Sequence, residues 1–267
     1  MLLTGKNAVV YGAGGAAGGA AGGAVARAFA REGAKVFLTG RTMPSVKVVA
    51  EDIGRAGGVA ESVKVDALDE SAVESHLADV AAKSGGVDIS FNAIGIPQQG
   101  IQGIPLSELP VDSFALPISS YTRAHFLTAR AAARQMVKKG SGVILMHTPE
   151  PGRMGAPLVG GMGLVWAALE ALCRDLSWEL APSGIRTVCL RSTGISETAT
   201  IDVVFGAHAK ALGITREQFQ GLMEGMAHTR RLSTLAELTN AAVFLASDLA
   251  SGVTGTVVNL TGGKAAD

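Results

Sequence analysis

Residues 7–41, NAVVYGAGGAAGGAAGGAVARAFAREGAKVFLTGR, constrain the fold more than any other stretch. Ala8-Val9-Val10-Tyr11 is a short apolar run without charge, the pattern of a strand buried on both faces of a parallel sheet. A glycine-rich turn starts at Gly12. Apolar residues then recur at helical spacing from Val25 to Glu32, and Gly33 follows where a helix takes a left-handed cap. Lys35-Val36-Phe37-Leu38-Thr39 reads as a second strand. Strand, glycine turn, helix and strand form the arrangement that sets a pyrophosphate on a helix N-terminus. The turn is unusual, because residues 13–24 spell AGGA three times. It reads either as an ordinary flexible loop or as a nucleotide-binding turn lengthened by one AGGA unit.

Strand and helix patterns alternate to the end. Strands are predicted at 59–65, 87–92, 142–147, 186–190 and 256–260, and helices at 70–84, 121–139, 162–180 and 235–247. A loop rich in Pro and Gln covers 96–112, and Leu116-Pro117 is expected to disrupt the start of the helix after it. Residues 194–230 read as an insertion with helical pieces. No linker or composition break divides the chain. The expectation is a single α/β domain over 1–267, a Rossmann-type doubly wound parallel sheet with right-handed crossovers. A net charge of zero leaves no electrostatic footprint for nucleic acid or an anionic membrane. No apolar run reaches the ~18 residues of a membrane span. Cys173 and Cys189 read as small buried hydrophobes, not as a disulfide. A cytoplasmic protein is expected.

Several separately placed motifs give the chain a resemblance to the short-chain dehydrogenase/reductase family over essentially its whole length. Gly12 with Gly18 falls in that family's glycine turn. Asp66-Ala67 resembles the acidic position after the third strand that holds adenine. Asn92-Ala93-Ile94-Gly95 is similar to the Asn-Ala-Gly segment after the fourth strand. Phe126-Leu127-Thr128-Ala129-Arg130-Ala131-Ala132 resembles the central interface helix. Phe244-Leu245-Ala246-Ser247-Asp248, Val253-Thr254-Gly255 and Asn259-Leu260-Thr261-Gly262-Gly263 resemble the C-terminal signature. The resemblance implies a homodimer or homotetramer assembled through the 121–139 and 162–180 helices, and a substrate lid at 194–230 carrying Phe205, Leu212, Phe219, Met223 and Met226.

The resemblance also implies a dinucleotide site at Gly12, Gly15, Gly18, Arg41, Asp66, Ala67, Asn92, Gly95 and Thr193. Counted from the strand, the family's Gly-x-x-x-Gly-x-Gly falls on Gly12, Ala16 and Gly18. Counted back from the helix, it falls on Ala16, Ala20 and Gly22. Each Gly in a helical turn costs about 1 kcal/mol against Ala, so a mobile turn and weakened dinucleotide affinity are expected. Gly40-Arg41 follows the second strand where an acidic residue would select NAD. A guanidinium there pairs with a 2′-phosphate, so NADP is preferred over NAD.

In the family a Tyr hydroxyl moves the substrate's proton, a Lys four residues later lowers its pKa, and a Ser thirteen residues before it orients the carbonyl. Here those positions are Met162, Trp166 and Pro149, none able to transfer a proton at neutral pH. Tyr121 stands near the place of the assisting Asn. His147 and Thr148 are substitute candidates at the end of the fifth strand, although a strand-end histidine with ordinary partners is the commoner case. Glu150 and Arg153 read as surface partners, Tyr11 as packing, and His208 and His228 as solvated faces without metal spacing. Two functions stay open: an oxidoreductase with an atypical proton donor, and an inactive or non-redox ligand-binding protein.

Overall fold

The computed structural model describes residues 1–15 and 20–266. The first apolar run is the middle of its sheet. Strand β1 (Asn7–Tyr11) pairs in parallel with β2 (Lys35–Gly40) on one side and β4 (Ile89–Asn92) on the other, with Val9 opposite Phe37 and Ser90. Together with β3 (Val59–Lys64), β5 (Gly142–Pro149), β6 (Ile185–Ser192) and β7 (Thr256–Leu260), these strands form a seven-stranded sheet. Its order is β3-β2-β1-β4-β5-β6-β7. This is the doubly wound Rossmann topology, which reverses between β1 and β4 and opens a crevice beyond the carboxyl ends of the strands.

Alternation along β1 divides the core. Ala8 and Val10 face α1 (Ala21–Arg31), α2 (Met43–Arg55) and α8 (Leu235–Ala246). Val9 and Tyr11 face α3 (Glu70–Ser84), α4 (Val111–Lys139) and α5 (Met162–Leu180). Beyond β6, helices α6 (Ala199–Leu212) and α7 (Arg216–Met226) pack through Phe205 and Phe219, whose ring centroids lie 5.1 Å apart edge to face. No described helix is long and apolar enough to cross a membrane. Cys173 and Cys189 are buried and unbridged.

The structure corrects three expectations. Helix α2 had no counterpart in the sequence reading, yet Pro44 stands in its first turn and Val46, Val49 and Ile53 are its buried positions. Helix α4 starts at Val111, ten residues earlier than expected, and runs through Pro117. The proline's missing N–H costs one helical hydrogen bond, but its ring is buried against the start of α5. A Cβ on Gly161 would stand 3.1 Å from Pro117 Cγ and 2.2 Å from Phe114 O, so the two helix starts touch backbone to backbone. Strands β5 and β6 each run two residues further than read, to Pro149 and Ser192, because their ladder continues through Thr148 opposite Arg191.

Candidate active site

One cavity of about 780 Å³ lies along the carboxyl ends of the strands. One wall comes from the turns after β1, β2 and β3, including Gly12, Gly15, Arg41, Asp66 and Ala67. Its other end is bounded by Pro149, Met162, Trp166, Thr193 and the apolar faces of α6 and α7.

The glycine turn is held by close backbone approach. Gly12 has φ +75°, and a Cβ there would stand 2.4 Å from Ala93 O. Gly22, inside the first turn of α1, would place a Cβ 2.8 Å from Gly12 O. Gly22 is therefore the glycine that lets the helix approach the strand. The count from the helix holds at that end, and the count from the strand holds at Gly12. The surplus falls between Gly12 and Ala20. Gly18 and the rest of residues 16–19, the middle of the expected mobile turn, lie outside the described residues. Ala21 to Ala24, the other part of the repeat, are helical. Gly12→Ala combines left-handed strain with a backbone clash, and about 2–4 kcal/mol of lost stability is expected in urea unfolding. Among the described residues Gly15→Ala meets only Ala20 Cβ, at 3.4 Å, and is expected to change stability by less than about 0.5 kcal/mol.

The end of β2 carries Arg41, exposed at the cavity edge, with no partner among the described residues. Asp66 Oδ1 accepts from the Leu68 N–H at 3.0 Å and shapes the turn beside Ala67. Asn92 is 4% exposed, and its side chain is fully engaged. Nδ2 donates to Thr128 Oγ1 at 2.8 Å, and Oδ1 accepts from the Ile94 N–H at 3.0 Å. It fixes the Ala93-Gly95 segment to α4. Thr193 is likewise engaged, its hydroxyl lying 2.8 Å from Ser233 Oγ and accepting from the Ser233 N–H at 2.6 Å.

Beneath Pro149 lies a buried polar network that the sequence reading missed. Glu170 stands one helical turn beyond Trp166 and accepts from Arg191 Nε and Nη2, each at 2.8 Å. Thr148 Oγ1 donates to Glu170 Oε1 at 3.0 Å, and the three residues are 0–4% exposed. This bidentate pair fixes the ends of β5 and β6 against the face of α5 that carries Met162 and Trp166. Thr148 is thus turned away into structure and is not a cavity group.

Two further expectations are corrected, and one cavity residue is added. Glu150 is not a surface charge. It is 8% exposed and holds Lys264 Nζ at 2.7 Å, and that lysine also lines the cavity. His208 is not solvated; its Nε2 lies 3.1 Å from Gln102 Oε1 and its ring stands 5.2 Å from Phe219. His125, absent from the sequence candidates, is 2% exposed and lines the cavity beside Tyr121. An apolar helix position drew no attention to it.

Tyr121 and His147 both line the cavity, as the sequence suggested. Burial pushes the Tyr121 hydroxyl up to about 12, against hydrogen bonds from Ile96 and Gln98. Burial pushes the His125 and His147 imidazoles down to about 4, and the neighbouring His125 ring lowers His147 further. Both are neutral at pH 7. Phe205, Leu212, Phe219, Met223 and Met226 of the 194–230 segment face the same cavity.

A parallel seven-stranded sheet with its cavity at the strand-order reversal, opened by a glycine turn, is the frame of a nicotinamide-dependent dehydrogenase fold. A sequence-family model described as "Enoyl-(Acyl carrier protein) reductase" matches residues 15–265. The chain belongs to the short-chain dehydrogenase/reductase family. It is 31% identical over 232 residues to the "Uncharacterized oxidoreductase YxbG" of Bacillus subtilis (strain 168), covering 87% of this chain and 82% of that protein. It is 28% identical to the D-beta-hydroxybutyrate dehydrogenase of Rhizobium meliloti (strain 1021), over 86% of this chain and 89% of that protein. The crystal structure of an NAD+-bound xylitol dehydrogenase superposes with a TM-score of 0.90 at 26% identity, covering 98% of this chain and all of that one.

Proposed function

We propose that this chain is an NADP-dependent oxidoreductase that moves hydride between the dinucleotide and a carbonyl or alcohol, with a proton donor outside the family's Ser-Tyr-Lys set. Family membership carries the oxidoreductase part. The cavity wall carries the dinucleotide: Gly12 and Gly15 line it at the turn before α1, where Gly22 lets the helix close on Gly12, and Arg41 presents a guanidinium at the end of β2. These residues fit the adenosine half of such a cofactor. Arg41 would pair with a 2′-phosphate, so NADP is favoured over NAD. Asp66 and Ala67 would flank adenine, and Gly95 and Thr193 would border the rest. When bound, the cofactor supplies the hydride. Pro149, Met162 and Trp166 exclude water around the reacting end and hold no transferable proton.

The 194–230 segment is read as the substrate lid, and its apolar residues favour an apolar ligand. The chain is read as one domain whose subunits assemble as a homodimer or homotetramer through α4 and α5. Phe126, Leu164 and Trp178 on those helices are 46%, 57% and 87% exposed, which supports that choice of faces.

The test restores the family residues together, Pro149→Ser, Met162→Tyr and Trp166→Lys. A general acid contributes about 10²–10⁴-fold, so at least a hundredfold gain in NADPH-dependent carbonyl reduction is expected. A variant that binds NADPH and gains nothing would sink the assignment of those three positions.

A further inference from the structure

His147 Nε2 lies 2.8 Å from Ser192 Oγ, and Ser192 Oγ donates onward to the Thr193 carbonyl at 2.8 Å. A serine hydroxyl carries one hydrogen. With that hydrogen directed to a carbonyl, Oγ receives from the ring. His147 therefore carries its hydrogen on Nε2 and its lone pair on Nδ1. Nδ1 has no partner among the described residues, yet it is not sealed in the way His125 Nε2 is, so it opens to the cavity that His147 lines.

His125 repeats the pattern. Its Nδ1 lies 3.0 Å from the Tyr121 carbonyl, which can only accept, so Nε2 is a second bare acceptor. The donors around it are mostly engaged. Gln102 Nε2 donates to Gln98 Oε1 at 2.6 Å, Gln98 Nε2 to Ile96 O at 2.7 Å, and Lys264 to Glu150. The Ser120 and Tyr121 hydroxyls and the Trp166 indole N–H are cavity-lining donors with no acceptor among the described residues. The polar end of the cavity thus carries bare acceptors on two neutral imidazoles.

We propose that His147 determines specificity by accepting a hydrogen bond at Nδ1 from the ligand's hydroxyl, so that the cavity takes an apolar alcohol in preference to the matching ketone. A ketone offers Nδ1 only a lone pair, and the two repel. The apolar part of the ligand lies against Phe205, Phe219 and Met223. The inference narrows the substrate of the oxidoreductase reading and rests on it for that term, but the hydrogen bond itself needs no dinucleotide.

The test uses the full chain without dinucleotide at pH 7.5, with cyclohexanol and cyclohexanone as probes in isothermal titration calorimetry. Cyclohexanol is expected to bind about tenfold tighter, the worth of one hydrogen bond, and His147→Phe is expected to erase the difference. Equal or tighter binding of cyclohexanone overturns the proposal, as does binding of neither probe. It also falls if Tyr121→Phe, rather than His147→Phe, removes the discrimination. Long-range proton–nitrogen correlation spectra of the wild-type ring give an independent check should His147→Phe fold poorly. They are expected to show hydrogen on Nε2, and hydrogen on Nδ1 at pH 7.5 would contradict the mechanism. Failure of NADPH to bind would end the oxidoreductase reading and leave these results standing.

Discussion

Folding stability is expected to fall steeply between pH 6.5 and pH 4. His76, His125 and His147 are each held at about 4 in the folded chain, chiefly by burial, against 6.5 unperturbed. Between those values the unfolded chain binds protons that the native chain refuses, so stability rises with pH across this window. Below about pH 4 both states are protonated and the slope from these groups vanishes. Each histidine is worth about 3 kcal/mol over the window. Three of them reach the order of a whole domain's stability, ~5–15 kcal/mol. The carboxylates act elsewhere. Glu237, drawn down to about 2 by Arg231, keeps its contribution above its unfolded value and loses it only in stronger acid. Urea unfolding at pH 7.5, 6, 5.5 and 5 separates the two effects. His76→Leu should flatten the slope by about a third, because burial leaves both its nitrogens without partners among the described residues. A flat profile from pH 7.5 to pH 5 would show that these imidazoles take up protons in the folded state.

Glu170→Ala is expected to cost about 3–5 kcal/mol. It strips the buried Arg191 guanidinium of its bidentate partner and takes from Thr148 Oγ1 the carboxylate it donates to. Transfer of a charge out of water is repaid only by such a partner. The paired change Glu170→Leu with Arg191→Met removes both charges and should return stability to within about 1 kcal/mol of the parent, or above it. Urea unfolding of the two variants decides the matter. If Glu170→Ala is nearly silent, water or another group compensates Arg191, and the network does not fix β5 against α5. Pro149, Met162 and Trp166 are positioned through this pair, so the single variant should also loosen any ligand of the cavity.

The sheet was legible from the sequence because its signals are local. Short apolar runs, glycine punctuation and the motifs after the strands each needed only a few neighbouring residues. Helix α2 was missed because Met43–Arg55 carries charges and only Val46, Val49 and Ile53 as its buried stripe. Helix α4 was shortened because Pro117 is read locally as a breaker, whereas its packing on Gly161 comes from a segment far along the chain. The same distance hid the polar partners of the site. Glu150 finds Lys264 across 114 residues, and Thr193 finds Ser233 across 40. Arg191 finds Glu170 across a strand and a helix. His125 looked like one more helix residue until the fold turned it beside His147. Gly22 was weighed in only one of two counts, and its contact with Gly12 identified it.

Titration of the purified chain with NADPH and NADH, followed by nicotinamide fluorescence, tests the central claim most directly. Saturable binding of NADPH, tighter than NADH and weakened by Arg41→Asp, is the predicted result. Absence of binding by either dinucleotide would contradict the oxidoreductase assignment, and tighter binding of NADH would contradict the role given to Arg41.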